Sequence, residues 1–426
     1  VKTTRVGADT TLARMIALVE EASRAKNKAE RAADRFTQWY TFLSLAAAGV
    51  MYFVGLSARE ILAVLLVVCA DDIAVAIPLG FTSAISRAAR IGIIVKGSPA
   101  FEQLSKVRYI LTDKTGTLTK GKPKVVDVKT YGGFTAAQVL ELALMGASES
   151  GHAVSRAIAE YGRAQGAPTH TPHEMEEISG QGVKFSRGVD TMLLGRMSFL
   201  EVERVHISEE IKRDIAAEKD AGRGIAMLSV NGKAAALISY ADELRPHVKD
   251  IIAATKGYGV KEWHMLTGDN ERAAAAVAGE VGVKHFHANM TPDTKVEFVR
   301  RFERSHEPEV VAYIGDGVND AASLALADVS IAMGGIGADA AIEAADITIM
   351  KDNLSRLPEA MRIARRVTGV MRQSFAIWAV TNIAGLALVA FGIPGFMLPL
   401  GPAGAAAYNF LTDFIPIGNA LRAGKK

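Results

Sequence analysis

Apolar residues are concentrated in long runs near the two ends of the chain. Nearly uncharged stretches cover residues 39–57 and 375–391, a longer one covers 61–85 with Asp71 and Asp72 inside it, and a weaker one covers 396–421. About 20 apolar residues span a bilayer. The pattern therefore predicts four transmembrane helices in two pairs, within residues 37–95 and 371–426. Core helices of a soluble protein are the alternative, but the very short turns between paired runs favour the membrane.

Basic residues flank these runs, including Arg87 and Arg90 after the second and Arg365, Arg366 and Arg372 before the third. Positive charge collects on the cytoplasmic side of membrane proteins. We therefore expect a multi-pass protein of the cytoplasmic membrane, with the lipid bilayer as a partner and the long middle segment in the cytoplasm.

The first 36 residues show a different pattern. Between residues 10 and 35, apolar side chains recur among charged ones at the spacing of a helix, at Leu12, Met15, Ile16 and Val19. This spacing predicts a surface helix that leads into the first span.

Short apolar strands alternate with helical stretches through the middle of the chain, as in a doubly wound α/β sheet. The predicted strands cover residues 109–111, 262–266, 310–314, 329–332 and 347–350, and the predicted helices cover 244–255, 270–281, 294–302 and 320–327. Residues 124–240 interrupt this alternation with helices at 136–147 and 153–164 and strands at 225–230 and 234–238. We interpret them as an inserted α+β domain between the two parts of the sheet domain, 96–123 and 241–370.

Composition adds two constraints. The 49 Lys and Arg residues nearly balance the 46 Asp and Glu residues, so the charge offers no reason to expect a nucleic-acid partner. The one cysteine excludes an intrachain disulfide and fits a reducing compartment for the soluble parts.

The candidate chemistry lies at the ends of predicted strands. Asp113 ends one strand and opens the run Asp-Lys-Thr-Gly-Thr-Leu-Thr. A carboxylate at the carboxyl end of a parallel strand lies in the crevice where α/β sheets bind ligands, and it can attack a phosphoryl group. Phosphoryl transfer also needs a cation against the phosphate charge and carboxylates for Mg²⁺. Lys295 and the pair Asp316 and Asp320 supply these groups.

A Thr-Gly-Asp run, Thr267-Gly268-Asp269, follows a third predicted strand. Each of these pieces alone is more often an ordinary turn. Together, in this order and at successive strand ends, they favour a phosphoryl-transfer site.

With these motifs the chain resembles the P-type ATPases, and among them the heavy-metal, or type IB, pumps. The resemblance covers essentially the whole chain and implies a HAD-like phosphorylation domain, with ATP as substrate and Mg²⁺ as cofactor. It implies that Asp113 is phosphorylated, that Asp242 lies at the hinge to the nucleotide domain, and that the remaining catalytic residues are Lys114, Thr115, Thr267, Gly268, Asp269, Lys295 and Asn319. It implies Mg²⁺ ligands at Asp113, Thr115, Asp316 and Asp320.

The same resemblance implies that the inserted domain binds ATP. His152 falls in the family's Ser-Glu-His-Pro pattern, although Gly151 and Ala153 replace the Glu and the Pro. Gly180 and Gly182 match its Gly-x-Gly pattern, and glycines permit close backbone approach to a purine or ribose.

Two other functions remain open. A soluble phosphatase of similar chemistry usually has a second Asp two positions after the nucleophile, where this chain has Thr115. The phosphoenzyme should therefore be long-lived, which suits a pump that couples its decay to a conformational change. A regulatory relative that binds nucleotide without moving an ion is the other alternative.

The transported cation is predicted to bind within the helices. Asp71 and Asp72 lie within the second predicted span. Charges at bilayer depth are costly and usually functional. Pro78 in the same predicted helix can free backbone carbonyls. The heavy-metal pumps carry Cys-Pro-Cys, or a variant with Ser, where this chain has Cys69-Ala70-Asp71. Loss of one thiolate disfavours Cu(I) and favours a borderline divalent ion such as Zn²⁺. The candidate ligands are Cys69, Asp71, Asp72, Asn382, Asn409 and Asp413.

Proton transport through these carboxylates is an alternative. Asp71 and Asp72 could also lie at a helix end that faces water, and the amides could join helices by hydrogen bonds.

The family's dephosphorylating (actuator) domain carries a Thr-Gly-Glu motif, which does not occur here. We expect that domain and the first membrane helices to precede residue 1, and the chain alone to accept phosphate but turn over slowly. Export of the ion and a monomeric state are implied by the resemblance alone.

Overall fold

The structure, a computed structural model, describes residues 28–68, 71–178, 181–316, 320–334, 345–350, 353–391 and 400–424. It describes their side chains from residue 38 onward, apart from that of Asp71. The strands are β1 Ile93–Val95, β2 Val107–Asp113, β3 Thr119–Thr130, β4 Glu174–Ile178, β5 Gly182–Arg187, β6 Asp190–Gly195, β7 Gly224–Val230, β8 Lys233–Leu244, β9 Glu262–Leu266, β10 His285–His287, β11 Val310–Gly315, β12 Val329–Gly334 and β13 Ile347–Met350.

The helices of the described residues are α1 Lys28–Phe53, α2 Ala58–Val67, α3 Asp71–Arg90, α4 Ser98–Leu104, α5 Ala136–Ser148, α6 Ala153–Ala164, α7 Met197–Val202, α8 Glu209–Asp220, α9 Val248–Lys256, α10 Glu271–Val281, α11 Pro292–His306, α12 Ala321–Leu326, α13 Leu357–Phe391 and α14 Pro402–Ala420.

The first sheet has seven strands in the order β1-β13-β12-β11-β2-β9-β10. Only β1 runs antiparallel to its neighbour among these described strands; the others are parallel. The central strand β11 is almost entirely buried, as expected for a parallel strand covered on both faces. The prediction of an α/β fold is confirmed.

The second sheet has six antiparallel strands in the order β3-β8-β7-β6-β5-β4. Side chains on one face pack with α5 and α6 around Leu144 and Phe185, and those on the other face pack with α7 and α8 around Phe199 and Ile215. The long strands β3 and β8 lead from the first sheet into the second and back.

One predicted helix begins in the wrong place. The prediction started at residue 244, whereas strand β8 continues to Leu244 and α9 begins only at Val248. Pro246 lacks the N–H that a helix interior needs, and His247 has a left-handed backbone with φ of 60°. The chain therefore turns through these residues before the helix starts.

The apolar segments form helices, with two differences from the prediction. The second run is divided, because α2 ends at Val67 and α3 begins at Asp71. The third belongs to α13, which begins at Leu357 and extends well beyond the apolar part. In the described part of the chain, two stretches are long and apolar enough to cross a bilayer, Ala58–Arg90 and Leu354–Phe391.

One continuous core joins these helices to the first sheet. It includes Ile77 and Phe81 of α3, Val367 of α13, and Ile314 and Ile331 of the sheet. The sheet and the apolar helices are therefore packed as one body, which gives a mechanical route between them.

Candidate active site

Three neighbouring parallel strands end at the same edge of the first sheet. Asp113 on β2 is paired in register with Leu266 on β9, and Thr112 is paired with Ile314 on β11. The turns that follow these three strands therefore meet at this edge. Asp113, the candidate nucleophile, ends β2, the Thr267–Asp269 run follows β9, and Asp316 and Asp320 follow β11.

Lys295 links two carboxylates at this edge. It lies on α11, which begins with Pro292 behind the capping residue Thr291. Its Nζ forms an ion pair with Asp113 Oδ1 and lies 3.0 Å from Asp320 Oδ1. All three side chains are buried.

Burial determines the electrostatics of this group. It raises the pKa of Asp113 to about 7, and the charge of Asp320 adds to the rise while Lys295 opposes it. Burial by itself would lower the pKa of Lys295, but the two carboxylates outweigh it and raise that pKa above its usual value. The ammonium therefore stays charged where a phosphate would need it.

The residues present fit a bound divalent cation. Asp320 Oδ2 is buried and has no hydrogen-bond partner among the described residues. Asp316 lies against the turn after Asp113, with its Oδ2 3.0 Å from the place that a β-carbon on Gly116 would take. Carboxylate oxygens are the ligands that Mg²⁺ prefers. Thr115 is exposed beside them.

The turn at 114–118 is held from two sides. Gly116 has a φ of 74°, a conformation that glycine adopts without strain. The guanidinium of Arg245 donates to the carbonyl oxygens of Gly116 and Thr117, at 2.7 and 2.8 Å. Sequence reasoning missed Arg245, although its position before Pro246, where the chain returns to the sheet, was a usable signal.

Asp242 holds the two connecting strands together. Its carboxylate accepts hydrogen bonds from Thr119 Oγ1 at 2.5 Å and from the main-chain N–H groups of Gly121 and Lys122 at 3.1 and 3.0 Å. It thus joins the start of β3 to the end of β8.

The Thr267–Asp269 turn lies next to the nucleophile. Asp269 Oδ2 is 2.5 Å from Lys114 Nζ, directly after Asp113. Thr267 is buried and its hydroxyl accepts a hydrogen bond from the Asp269 N–H. Gly268 has the Met290 carbonyl oxygen 3.3 Å from the place of a β-carbon, so the main chains come close there.

A second pocket lies on the six-stranded sheet. His152 caps α6 and lines this pocket together with Gly182, Glu177, Gly195 and Arg196. Gly182 and Gly195 are paired across the sheet, and a β-carbon on Gly182 would come 2.7 Å from Gly195 Cα. Glu177, which sequence reasoning missed, accepts a hydrogen bond from Ser150 Oγ at 2.8 Å. Glutamate is common on solvated surfaces, so its position carried little signal.

The structure locates the candidate ion ligands only in part. Asp72 on α3 and Asn382 on α13 are buried, and Asn409 and Asp413 on α14 are half-buried. These three helices pack against one another. Among the described side chains of these three helices, no group of three or more His, Cys, Asp and Glu has the arrangement of a metal site.

Leu12, Met15, Ile16 and Val19 of the predicted surface helix lie outside the described residues. Four predicted site residues also fall outside these observations. Cys69, Gly180 and Asn319 lie outside the described residues, as does the side chain of Asp71.

Comparisons with known proteins identify the family of this chain. The family model for haloacid dehalogenase-like hydrolases matches residues 107–328, more than half of the chain. A zinc-transporting ATPase of Synechocystis sp. is 33% identical over 433 residues, covering 99% of this chain and 57% of the relative. A manganese-exporting P-type ATPase of Mycobacterium leprae is 32% identical over 98% of this chain and 57% of the relative.

A solved structure gives the same result. The crystal structure of a zinc-transporting PIB-type ATPase in the E2.Pi state aligns with a TM-score of 0.77 and 28% identity, over 98% of this chain and 68% of that chain. The chain spans a little over half the length of the curated relatives named above. It belongs to the haloacid dehalogenase-like hydrolases. Within this class, the resemblance to the heavy-metal P-type ATPases is confirmed.

Proposed function

We propose that this chain is the catalytic and membrane part of an ATP-driven pump for a divalent transition-metal cation. The observation that carries the proposal is the buried group of Asp113, Lys295 and Asp320, in which one ammonium lies between two carboxylates. That arrangement presents a nucleophile, a fixed positive charge and a carboxylate oxygen at one edge of the sheet.

The reaction starts from ionised Asp113. One carboxylate oxygen attacks the γ-phosphorus of ATP, an O–P bond forms, the bond to the β–γ bridging oxygen breaks, and ADP leaves with that electron pair. Lys295 offsets the charge of the transferred group. Asp113, Thr115, Asp316 and Asp320 would hold Mg²⁺, which supplies further positive charge. Lys114 fixes the Asp269 turn beside the reacting atoms.

ATP binds in the inserted domain, residues 124–240, in the pocket that His152 and Gly182 line. For Gly180 and Asn319, the roles that the resemblance implies stay predictions. The close pairing of Gly182 and Gly195 supports this assignment, because a flat surface free of β-carbons accepts a ring system. The strands β3 and β8, joined through Asp242, form the hinge that brings the nucleotide to Asp113.

The apolar helices cross the membrane four times. Of the 22 large hydrophobic side chains that are exposed among the described residues, 17 lie on α1, α2, α3, α13 and α14. Phe53, Phe391 and Leu411 are 89%, 86% and 67% exposed. A soluble protein rarely exposes so much contiguous apolar surface, whereas a bilayer would cover it.

The cation binds among α3, α13 and α14. Asp72 is buried there, and Asn382 Oδ1 is buried without a hydrogen-bond partner among the described residues. A buried acceptor such as Asn382 Oδ1 needs a cation or a donor. The relatives transport zinc in one case and export manganese in the other, by their names, so the proposal is limited to a divalent ion.

Acid-stable labelling tests the nucleophile. The protein is incubated with Mg²⁺ and γ-labelled ATP, quenched in acid and treated with hydroxylamine, which cleaves acyl phosphates. We expect label that hydroxylamine removes, and none on Asp113→Asn. Circular dichroism establishes that both proteins are folded. Folded protein without label, or label that survives on Asp113→Asn, would refute the proposal.

A cation panel tests transport. Phosphoenzyme levels are measured with Zn²⁺, Mn²⁺, Cd²⁺ and Co²⁺, and again with Asp72→Asn. We expect at least one cation to raise the level, at about tenfold higher concentration in the variant, because a charged ligand contributes about 1.5–3 kcal/mol. Normal phosphorylation that no metal cation or pH change affects would instead identify a regulatory relative.

A further inference from the structure

A basic groove lies at the amino-terminal ends of the parallel strands of the seven-stranded sheet, whereas Asp113 lies at their carboxyl ends. It runs between the start of β2, the start of β11 and the first half of α13, and its charged lining residues are Lys106, Arg108, Glu309, Arg365 and Arg372. Asp113 lies five positions after Arg108 along strand β2, a distance of about 17 Å. The groove is therefore separate from the phosphoryl-transfer site.

Two arginines converge inside the groove without a carboxylate between them. Arg108 Nη1 donates to the Gly259 carbonyl oxygen at 3.0 Å. Nitrogens of both Arg108 and Arg365 crowd the position that a β-carbon on Gly259 would take, so the two guanidinium groups are neighbours. Like charges held this close repel each other unless an anion lies near them.

The acidic residues nearby are already engaged. Glu309, the carboxylate of the groove, is paired with Lys261 at 2.5 Å, and Lys106 is paired with Glu102 at 2.7 Å. Within the described residues, Arg108, Arg365 and Arg372 form no ion pair with a carboxylate at 4.0 Å or less. Three guanidinium groups thus share a groove with a single lining carboxylate, Glu309, which is paired with Lys261 and also lies in the field of Arg108.

The position of the groove identifies the kind of anion. Arg372 lies one helical turn before Phe375, where the apolar part of α13 begins. Arg365 lies two turns further from that boundary, about 10 Å along the helix. The mouth of a groove that starts at the apolar boundary lies in the polar headgroup layer of a membrane, which is about 5–7 Å thick on each side. Arginine binds phosphate oxygens in pairs through its planar fork.

We infer that this groove binds the phosphate headgroup of an anionic phospholipid from the cytoplasmic leaflet. The inference rests on the proposed membrane location, but not on ATP hydrolysis. A lipid bound there would fix α13 to the starts of β2 and β11, and so would hold the phosphorylation sheet against the membrane helices.

The test measures lipid retention by the whole chain. The protein is reconstituted in nanodiscs of phosphatidylcholine with 20% labelled phosphatidylglycerol, extracted in mild detergent, and the retained phosphatidylglycerol is counted by native mass spectrometry. We expect at least one retained phosphatidylglycerol. The double variant Arg108→Gln/Arg365→Gln should lower its affinity about tenfold or more, and the exposed single variant Arg372→Gln, which cannot disturb the sheet, should lower it several-fold.

Matched controls separate this site from general attraction of basic residues to anionic lipid. The variant Arg87→Gln/Arg90→Gln removes two arginines from a different groove beside α3, and it should retain phosphatidylglycerol like the unmodified chain. Inorganic phosphate at 10 mM should compete weakly. Equal loss in the control variant, full retention in the groove variants, or complete displacement by inorganic phosphate would each overturn the inference.

Labelling with ATP distinguishes failure of the inference from failure of the proposed function. The groove variants keep Asp113 and Lys295, so hydroxylamine-sensitive label shows that they are folded and active. Groove variants that lose the lipid but keep the label support lipid binding in the groove. A chain that binds the lipid but takes up no label refutes the pump proposal and does not affect the inference about the groove.

Discussion

The guanidinium group of Arg245 lies buried against the main chain of Thr117, with its Nε 2.8 Å from the Thr117 carbonyl oxygen. A second contact reaches the Gly116 carbonyl oxygen. The turn that follows the nucleophile is therefore shaped by a residue 132 positions after Asp113 in the chain.

This contact makes Arg245→Lys informative. Lysine keeps the charge but cannot donate to two carbonyls in a fixed plane. Each lost charged hydrogen bond costs about 1.5–3 kcal/mol, so we expect the rate of phosphoenzyme formation to fall about tenfold or more, measured by rapid quench with labelled ATP. Arg301→Lys, at an exposed position on α11, is the control. An unchanged rate of phosphoenzyme formation in Arg245→Lys would show that the turn keeps its shape without the two guanidinium hydrogen bonds.

Removal of Lys295 should have a larger effect. In Lys295→Ala, Asp113 and Asp320 lose the ammonium between them, and breaking a buried ion pair costs about 3–5 kcal/mol. We expect phosphoenzyme formation to fall at least about 100-fold. The melting temperature, measured in the same preparation, shows how much of the loss is structural. Lys212→Ala removes an exposed ion pair instead, and a comparable loss there would argue against a specific role for Lys295.

Gly182→Ala tests the nucleotide pocket. The added β-carbon would approach Gly195 Cα at 2.7 Å, and the main chain cannot yield without separating β5 from β6. Overpacking of this kind costs about 1–3 kcal/mol, so we expect about tenfold weaker ATP binding by isothermal titration calorimetry. Gly279→Ala, where a β-carbon meets nothing within 4 Å, should bind ATP normally. Normal ATP affinity in Gly182→Ala would show that the nucleotide binds at a different site.

The histidines at the edge of the sheet predict acid sensitivity. Burial lowers the pKa of His264 to about 4, and the nearby charges of His285 and His287 act in the same direction while Glu262 opposes them. The unfolded chain takes up this proton below about pH 6.5, whereas the folded chain resists it until about pH 4. The unfolded state therefore binds more protons in this window, and stability should fall as the pH falls from 6.5 to 4.

Thermal unfolding at pH 7.5 and pH 5 checks this effect. The melting temperature should fall less between the two pH values in His264→Gln than in the unmodified chain. His206→Gln, an exposed position, should behave like the unmodified chain. The same pH dependence in all three proteins would assign the acid sensitivity to other groups.

Some elements were predictable because their sequence pattern fits only one type of secondary structure. Strands β11 and β12 are short apolar runs that end in glycine, and β9 was predicted with its observed bounds. Strand β4, Glu174–Ile178, was missed because three of its five residues are glutamates, which are depleted in strands. Its place in the sheet comes from pairing with β5, which local sequence does not show.

The sequence by itself determined the α/β alternation of the main sheet, the apolar segments and the position of each motif near a strand end, because hydrophobic periodicity and turn residues act over a few neighbouring residues. Only the tertiary structure decided which side chains touch. Lys295 reaches Asp113 across 182 positions and Arg245 braces its turn, since contacts between distant segments depend on how the strands pair and the helices pack. The same packing brings Arg108 and Arg365, which are 257 positions apart, into one groove that local sequence patterns do not predict.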